Sequence, residues 1–168
     1  MEEQTIDSSD LQAIGEEACT SLTWILEGMG IEADVEVDTR DGQILLDIVG
    51  GSDSSITIGR KGQTLEALQV LVTRITARQH PDVLGRTKIL IDVEGYRERR
   101  RINLVDLAIK CAGEVRDSGE AAFLGPMNSY ERYLVHSTLK EEPGIMTSSR
   151  GEGTLKQIVI EVDDGNNT

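Results

Sequence analysis

The spacing of apolar residues alternates along the chain between the period of a helix and that of a strand. The resulting order of helices and strands is the sequence feature that most constrains the fold. Apolar residues three and four positions apart in 7–28 predict an amphipathic helix capped by Ser8 or Ser9. Apolar residues then alternate on both sides of Asp41-Gly42, which predicts a β-hairpin. A short apolar turn at 56–58, a helical period after Gly62 and alternation at 89–93 follow. The predicted order is α-β-β-α-α-β.

The remainder of the chain predicts a second α+β unit. A helical period with Ile102, Val105, Ala108, Ile109 and Ala112 on its apolar face follows the basic run 96–101. A strand over 121–124, a helix over 129–140 opened by a capping box of Asn128 and Glu131, and strands over 145–149 and 155–162 complete the order α-β-α-β-β. The fold class is therefore α+β, with domains at 1–94 and 95–162 and a disordered tail at 163–168.

Charge is distributed very unevenly along the chain. The net charge is −13, and residues 1–53, with fourteen Asp or Glu against Arg40 alone, account for all of it. Residues 55–101 contain ten Lys or Arg and five acids. Because charges are screened over about 8 Å at physiological salt, distant acids leave direct phosphate contacts by this basic stretch intact. The acidic total therefore does not exclude a nucleic-acid partner.

Several classes of protein are disfavoured by composition. No apolar run reaches the roughly 18 residues of a membrane span and the acidic start lacks signal-peptide features, so we expect a cytoplasmic protein without membrane insertion. Cys19 and Cys111 stand apart without a neighbouring His, which predicts reduced packing cysteines and neither a metal site nor a cofactor. With two histidines, no paired catalytic carboxylates and no phosphate-binding P-loop, the chain is not expected to be an enzyme.

The segment Gly59-Arg60-Lys61-Gly62 lies between two predicted helices. A helix that begins at Gly62 presents backbone N–H groups that suit a phosphate, and glycines allow close approach of a nucleic-acid backbone. The arrangement of helix, G-x-x-G, helix and strand resembles a type II KH domain, which binds about four single-stranded nucleotides. We expect Ile58 and Leu65 to line an apolar groove beside the loop. A chain-reversing turn without a ligand is the alternative.

Arg132 and His136 are four positions apart on a predicted helix and therefore share a face. There the guanidinium could bind a phosphate and the imidazole could stack or donate a hydrogen bond. A solvated helix face is the alternative. The surrounding segment, 126–136, resembles the signature of the R-x-x-x-H domain, whose family binds single-stranded nucleic acids.

Four segments together, 58–68, 92–100, 126–136 and 151–153, closely resemble the Jag family of bacterial proteins. The resemblance implies a KH domain followed by an R-x-x-x-H domain, RNA binding, a link in Gram-positive bacteria to cell elongation and division, and partnership with a small KH-only protein. The resemblance does not extend to the family's N-terminal Jag domain, so we do not expect functions that depend on that domain. Tyr133 also stands where a second basic residue is expected, which would weaken phosphate binding by that helix.

The basic run contributes Arg97, Arg99 and Arg100 as further candidate RNA contacts between the two domains, with a solvated helix start as the alternative. The predicted ligand is single-stranded RNA, with single-stranded DNA left open. A protein-interaction scaffold, or a KH-mediated dimer that makes no RNA contact, is the competing function. In that case the partner would be a small KH-only protein or a second copy of the chain.

Overall fold

A computed structural model describes residues 7–51, 54–82, 87–153 and 156–163. The chain forms two compact units, residues 1–97 and 98–168. Each unit combines helices with one three-stranded sheet, so the fold is mixed α+β. No helix in the described ranges has the length and apolar character needed to cross a bilayer.

The first unit places three helices beside a mixed sheet. In that sheet β2 lies between β1, to which it is antiparallel, and β3, to which it is parallel. The turn residues Asp41 and Gly42 both have positive φ, as a tight hairpin requires. The elements are α1 Ser8–Gly28, β1 Asp34–Arg40, β2 Gln43–Val49, α2 Ser54–Ile58, a 3₁₀ turn at Arg60–Gly62, α3 Gln63–Gln79 and β3 Lys88–Val93.

The core of the first unit lies between α1, α3 and one face of the sheet. Alternate residues of β2 are fully buried, and they belong to the same buried cluster as Leu22 of α1 and Leu68 of α3. The predicted cap of α1 was wrong. Asp7 has extended backbone angles and its carboxylate accepts a hydrogen bond from the Ser9 N–H at 3.4 Å, so Asp7 is the N-cap.

The buried stripe of α3 differs at its end from the predicted one. The apolar residues at helical spacing after Gly62 are Leu65, Leu68, Val72 and Ile75. The first three are buried, but the next buried residue is Thr76, whereas Ile75 is 37% exposed. The Thr76 hydroxyl donates to the Val72 carbonyl at 3.0 Å, so its polar group is satisfied within the helix. A threonine therefore takes the place of the expected isoleucine in the core.

The second unit packs two helices on an antiparallel sheet in which β6 lies between β4 and β5. The predicted strand at 121–124 begins one residue later and continues to Met127 through a cis Gly125-Pro126 bond. Leu155, the predicted start of the last strand, lies outside the described residues. The elements are α4 Tyr96–Ser118, which begins in the first unit, β4 Ala122–Met127, α5 Ser129–Leu139, β5 Ile145–Arg150 and β6 Lys156–Val162.

Helix α4 buries a different face from the predicted one. Ala108 and Ala112 are buried as expected, but Ile102 and Ile109 are about half exposed. The buried positions are Leu104, Ala108, Cys111, Ala112 and Val115. The apolar residues of α4 occur on more than one side of the helix, so the helical period alone did not identify the buried side.

The end of the chain is ordered one residue further than predicted. The backbone N–H of Asp163 donates to the carbonyl of Gly144 at 2.9 Å, so Asp163 is not part of a disordered tail. The rest of the predicted tail, 164–168, lies outside the described residues.

Candidate nucleic-acid interface

The G-x-x-G segment forms a tight turn between α2 and α3. Gly59, Lys61 and Gly62 all have positive φ, at 71°, 56° and 80°. Such angles favour glycine, and the φ of 71° and ψ of −178° at Gly59 lie in a region that is essentially restricted to glycine. The two glycines are therefore needed for the course of the backbone, whatever the loop binds.

The hydrogen atoms that replace side chains at the two glycines point toward protein. A Cβ atom at Gly59 would collide with the side chain of Thr64, and one at Gly62 would lie 3.1 Å from the Tyr96 ring. The expectation that the glycines make room for a nucleic-acid backbone is thus not what the geometry provides. The absent side chains make room for Thr64 and Tyr96, which pack against the loop.

The two cations of the loop are directed outward. Arg60 and Lys61 are exposed, and they immediately precede α3, whose N-cap, Gly62, makes no side-chain capping hydrogen bond. The first backbone N–H groups of α3 therefore lie beside two positive side chains. Together, Arg60, Lys61 and this helix start form a positively polarised end of the unit that is open to solvent.

The two predicted groove residues differ in exposure. Ile58 is half-buried and packs against the edge of the core. Leu65 is only 1% exposed, so its predicted place in the lining of the groove was wrong. Leu65 lies in the first turn of α3 on the same buried side as Leu68 and Val72, so it is a core residue that anchors this turn.

Arg97 is held within the first unit. Its Nε donates to the Ile91 carbonyl at 2.8 Å, and Nη2 donates to Oε1 of Gln69 at 3.3 Å. The same guanidinium lies 3.6 Å from the Glu66 carboxylate. These contacts join α3 to β3, so Arg97 fixes the structure and its expected role as a phosphate contact does not fit the geometry.

The other cations of the basic run differ in their surroundings. Arg100 forms an ion pair at 2.8 Å with Glu131, whose carboxylate is buried. Arg101 pairs with Glu98 at 2.7 Å. Arg99 is exposed. Of the three predicted contacts in this run, Arg99 is therefore the one whose side chain is presented to solvent.

Arg132 lies in the first turn of α5 and contacts the segment that precedes the helix. Its Nη1 donates to the Met127 carbonyl at 2.9 Å and its Nη2 donates to the Ser129 hydroxyl at 3.1 Å. Arg132 is half-buried. Part of its hydrogen-bonding capacity is thus used to join the end of β4 to α5.

His136 joins α5 to β5 through both ring nitrogens. Its Nδ1 is 2.6 Å from the Thr147 hydroxyl and its Nε2 is 3.1 Å from the Ser149 hydroxyl. Burial lowers the pKa of His136 below its ordinary value, and the positive Arg132 nearby lowers the pKa further. The neutral ring is therefore favoured, and its two hydrogen-bonding atoms already have partners in the protein.

A groove of about 460 Å³ opens beside His136 in the second unit. Tyr133 lies on its rim, 69% exposed, and Lys140 follows the last turn of the same helix. The complete lining is Tyr133, His136, Ser137, Leu139, Lys140, Ile145 and Thr147. From the sequence, Tyr133 was noted only as a replacement of an expected basic residue, and Lys140 was not identified as a candidate. The helical spacing of 133, 136 and 140, which places them along one face, was the available signal.

Among the residues that the structure describes, no group of three or more His, Cys, Asp or Glu side chains is arranged to hold a metal ion. Cys111 is buried and Cys19 is half-buried, and both are free thiols.

Comparison with known proteins identifies a domain and a set of relatives. Residues 102–161 match the family model of the R-x-x-x-H domain. Three relatives share the name RNA-binding protein KhpB. The Bacillus subtilis protein is 35% identical over 142 residues, the Lactiplantibacillus plantarum protein 32% over 144, and the Clostridium symbiosum protein 30% over 150.

These matches cover most of this chain but only part of the relatives. They take in 83% of the chain for B. subtilis, 86% for L. plantarum and 89% for C. symbiosum. The matched part spans 66% of the B. subtilis and C. symbiosum proteins and 44% of the L. plantarum protein. The chain therefore belongs to the same family as these relatives, the Jag family, and residues 102–161 form its R-x-x-x-H domain.

Proposed function

We propose that the chain binds single-stranded RNA through two domains. The first, residues 1–94, is a type II KH domain that binds the strand at the loop 59–62, and the second, residues 95–162, is the R-x-x-x-H domain. The order of helices and strands in the first unit and the names of the relatives support this proposal. Binding of RNA is chosen over single-stranded DNA because the relatives are named for RNA. A role in post-transcriptional regulation linked to cell elongation or division rests on the family resemblance.

The observation that carries the proposal is the exposed cationic loop. Arg60 and Lys61 are exposed in a turn that leads directly into α3, so their positive charges lie beside the positive end of the helix dipole, an arrangement that suits a phosphate. The half-buried Ile58 lies at the end of α2 and offers an apolar surface to a base. Because salt screens charges over about 8 Å, the acidic residues of 1–53 weaken distant attraction of phosphate more than they weaken direct contacts at the loop.

A charge-reversal experiment tests the loop directly. The variant carrying Arg60→Asp and Lys61→Asp is compared with wild type by filter binding to a single-stranded RNA oligonucleotide at several salt concentrations. The control carries Arg74→Asp and Arg78→Asp, which make the same change in net charge on α3. Because both variants have the same net charge, a non-specific electrostatic effect would weaken them equally.

We expect the loop variant to lose at least about ten-fold in affinity relative to the control, together with a smaller dependence of affinity on salt. Equal affinity of the two variants would show that the loop does not contact RNA. Circular dichroism of both variants confirms that each remains folded.

A protein-interaction scaffold is the second candidate function, favoured by the surface of α3. Val70, Leu71 and Ile75 are exposed on a helix that also contributes to the core. Apolar side chains grouped in this way are typical of a contact face for another chain, either a second copy or a small KH-only protein. If Leu71→Glu changes the molar mass measured by light scattering and leaves RNA binding unaltered, the two functions occupy different surfaces.

A further inference from the structure

The groove beside α5 is lined by His136, but the polar groups of Arg132 and His136 already have hydrogen-bond partners in the protein. Both ring nitrogens of His136 have hydroxyl partners on β5, and the Arg132 guanidinium bonds the Met127 carbonyl and the Ser129 hydroxyl. Neither side chain can be fully committed to a ligand without giving up these contacts. A ligand at this helix therefore needs further contacting groups.

Tyr133 and Lys140 supply such groups on the same groove. The Tyr133 ring is 69% exposed although a large aromatic side chain gains free energy by burial, so it is an apolar surface left open to solvent. Lys140, at the other end of the lining, is exposed and makes no ion pair among the described residues. The floor between them contains the buried apolar residues Leu139 and Ile145.

We propose that this groove is a nucleotide subsite in which one base of a single strand stacks on Tyr133 and its backbone phosphate pairs with Lys140. The inference rests on the proposed RNA-binding function and names the residues by which the R-x-x-x-H domain contributes to it. An exposed aromatic ring provides a stacking surface for any base, and an ammonium group suits a phosphate. A volume of about 460 Å³ lies in the range of small-molecule sites and can accept a nucleobase.

The chain supplies a matched control for the aromatic ring. Tyr130 lies on the same helix and is 62% exposed, but it is not part of the groove lining. Replacement of either tyrosine by alanine removes a similar area of exposed ring and should change stability little. Only the Tyr133→Ala variant should affect RNA binding if the groove is the subsite.

The test measures affinity of wild type, Tyr133→Ala, Tyr133→Phe, Tyr130→Ala and Lys140→Ala for two oligonucleotides of equal length. One is a single-stranded RNA, and the other has the same sugar-phosphate backbone without bases. We expect Tyr133→Ala to bind the RNA about ten-fold more weakly and Tyr133→Phe and Tyr130→Ala to bind as wild type does. On the abasic strand, the Tyr133→Ala variant should match wild type, because no base is present to stack.

Lys140→Ala should weaken binding to both strands alike and lower the slope of log affinity against log salt by about one. Equal affinity of Tyr133→Ala and Tyr130→Ala for RNA, in a protein that does bind RNA, would overturn the subsite and leave the proposed function standing. Absence of RNA binding by the wild type would overturn the proposed function and the subsite with it. An equal loss in Tyr133→Ala on both strands would show that the ring does not act by stacking.

Discussion

At the scale of single residues, the glycines of the 59–62 loop are explained by packing within the protein and by backbone conformation. The loop was identified because glycine allows a nucleic-acid backbone to approach. The structure instead uses the small size of Gly59 and Gly62 to admit Thr64 and Tyr96, and uses their positive φ to turn the chain. The glycines thus shape the loop, and in the proposed function Arg60 and Lys61 are the residues expected to contact the ligand.

Substitution at Gly59 should therefore lower stability. We expect Gly59→Ala to cost about 1–3 kcal/mol in the free energy of unfolding, because its backbone angles are restricted to glycine, with a further cost from the collision with Thr64. Gly28→Ala is the control, since a Cβ there meets no atom within 4 Å and the residue lies at the end of α1. Urea denaturation of both variants measures the difference. If the two variants are equally stable, the described loop geometry is wrong.

The histidine of the R-x-x-x-H domain should make stability depend on pH. Since burial and Arg132 lower the pKa of His136 in the folded state, the unfolded chain binds the proton more readily. The contribution of neutral His136 to stability is complete above the unfolded pKa of about 6.5 and is lost as pH falls through the lower folded pKa.

We expect the wild type to lose thermal stability on acidification from about pH 7.5 to about pH 5 more steeply than His136→Gln, because the two proteins differ only in whether the side chain at position 136 can titrate. Glutamine retains hydrogen-bonding groups toward Thr147 and Ser149 but does not titrate. The thermal midpoint of both proteins across this pH range is the measurement. Parallel curves for the two proteins would show that the His136 pKa is not lowered by folding.

At the scale of elements, the start of α5 depends on one carboxylate that has two functions. Glu131 is 6% exposed. One of its oxygens accepts a hydrogen bond from the Asn128 N–H at 3.1 Å, and the other pairs with Arg100 at 2.8 Å. The Asn128 side chain accepts in return from the Glu131 N–H, so the predicted capping box is confirmed. The pairing with Arg100 joins α5 to α4.

Replacement of Glu131 should separate these two functions. We expect Glu131→Ala to cost about 3–5 kcal/mol, because it removes the cap and leaves the half-buried Arg100 without its partner. Glu131→Gln should cost less, since its amide can still accept from the Asn128 N–H. Chemical denaturation followed by far-ultraviolet circular dichroism measures both. The expectation fails if alanine and glutamine are equally costly.

Local sequence patterns predicted turns and helix caps well. They could not predict side-chain contacts between residues that are distant in the sequence. The Asp41-Gly42 turn and the capping box at Asn128 were found because their signals lie within a few residues of one another. The buried side of α4 was not predicted correctly, because its apolar residues are compatible with more than one buried side. Side-chain partners such as Gln69 for Arg97 or Thr147 for His136 become neighbours only after the chain folds.

For the candidate site, the sequence indicates which segments contain cations. It does not indicate which of those cations are exposed and which pair with acceptors in the protein. Arg60, Lys61 and Arg99 are exposed as a binding residue must be, whereas Arg97 and Arg100 are largely committed to acceptors within their own unit. An arginine in a basic run gives no local indication of which carboxylate or carbonyl will contact it. The same limit explains why Leu65 was assigned to a groove and lies in the core.

At the scale of the whole molecule, the central feature is a strong charge imbalance along the sequence. The acids of 1–53 dominate the net charge of −13, while the proposed contact loop and its neighbours carry a local excess of cations. Long-range attraction of RNA is thus expected to be weak, and affinity must come from short-range contacts. RNA binding therefore requires contacts at defined places on a molecule whose net charge repels phosphate.

Backbone amide shifts of the isotopically labelled protein, recorded by nuclear magnetic resonance during titration with a single-stranded RNA oligonucleotide, test this requirement most directly. We expect the largest changes at residues 59–63 and along the groove residues 133–147, with little change across the acidic helix Ser8–Gly28. Changes confined to the exposed face of α3 at Val70, Leu71 and Ile75, or spread evenly over the acidic helix, would contradict it.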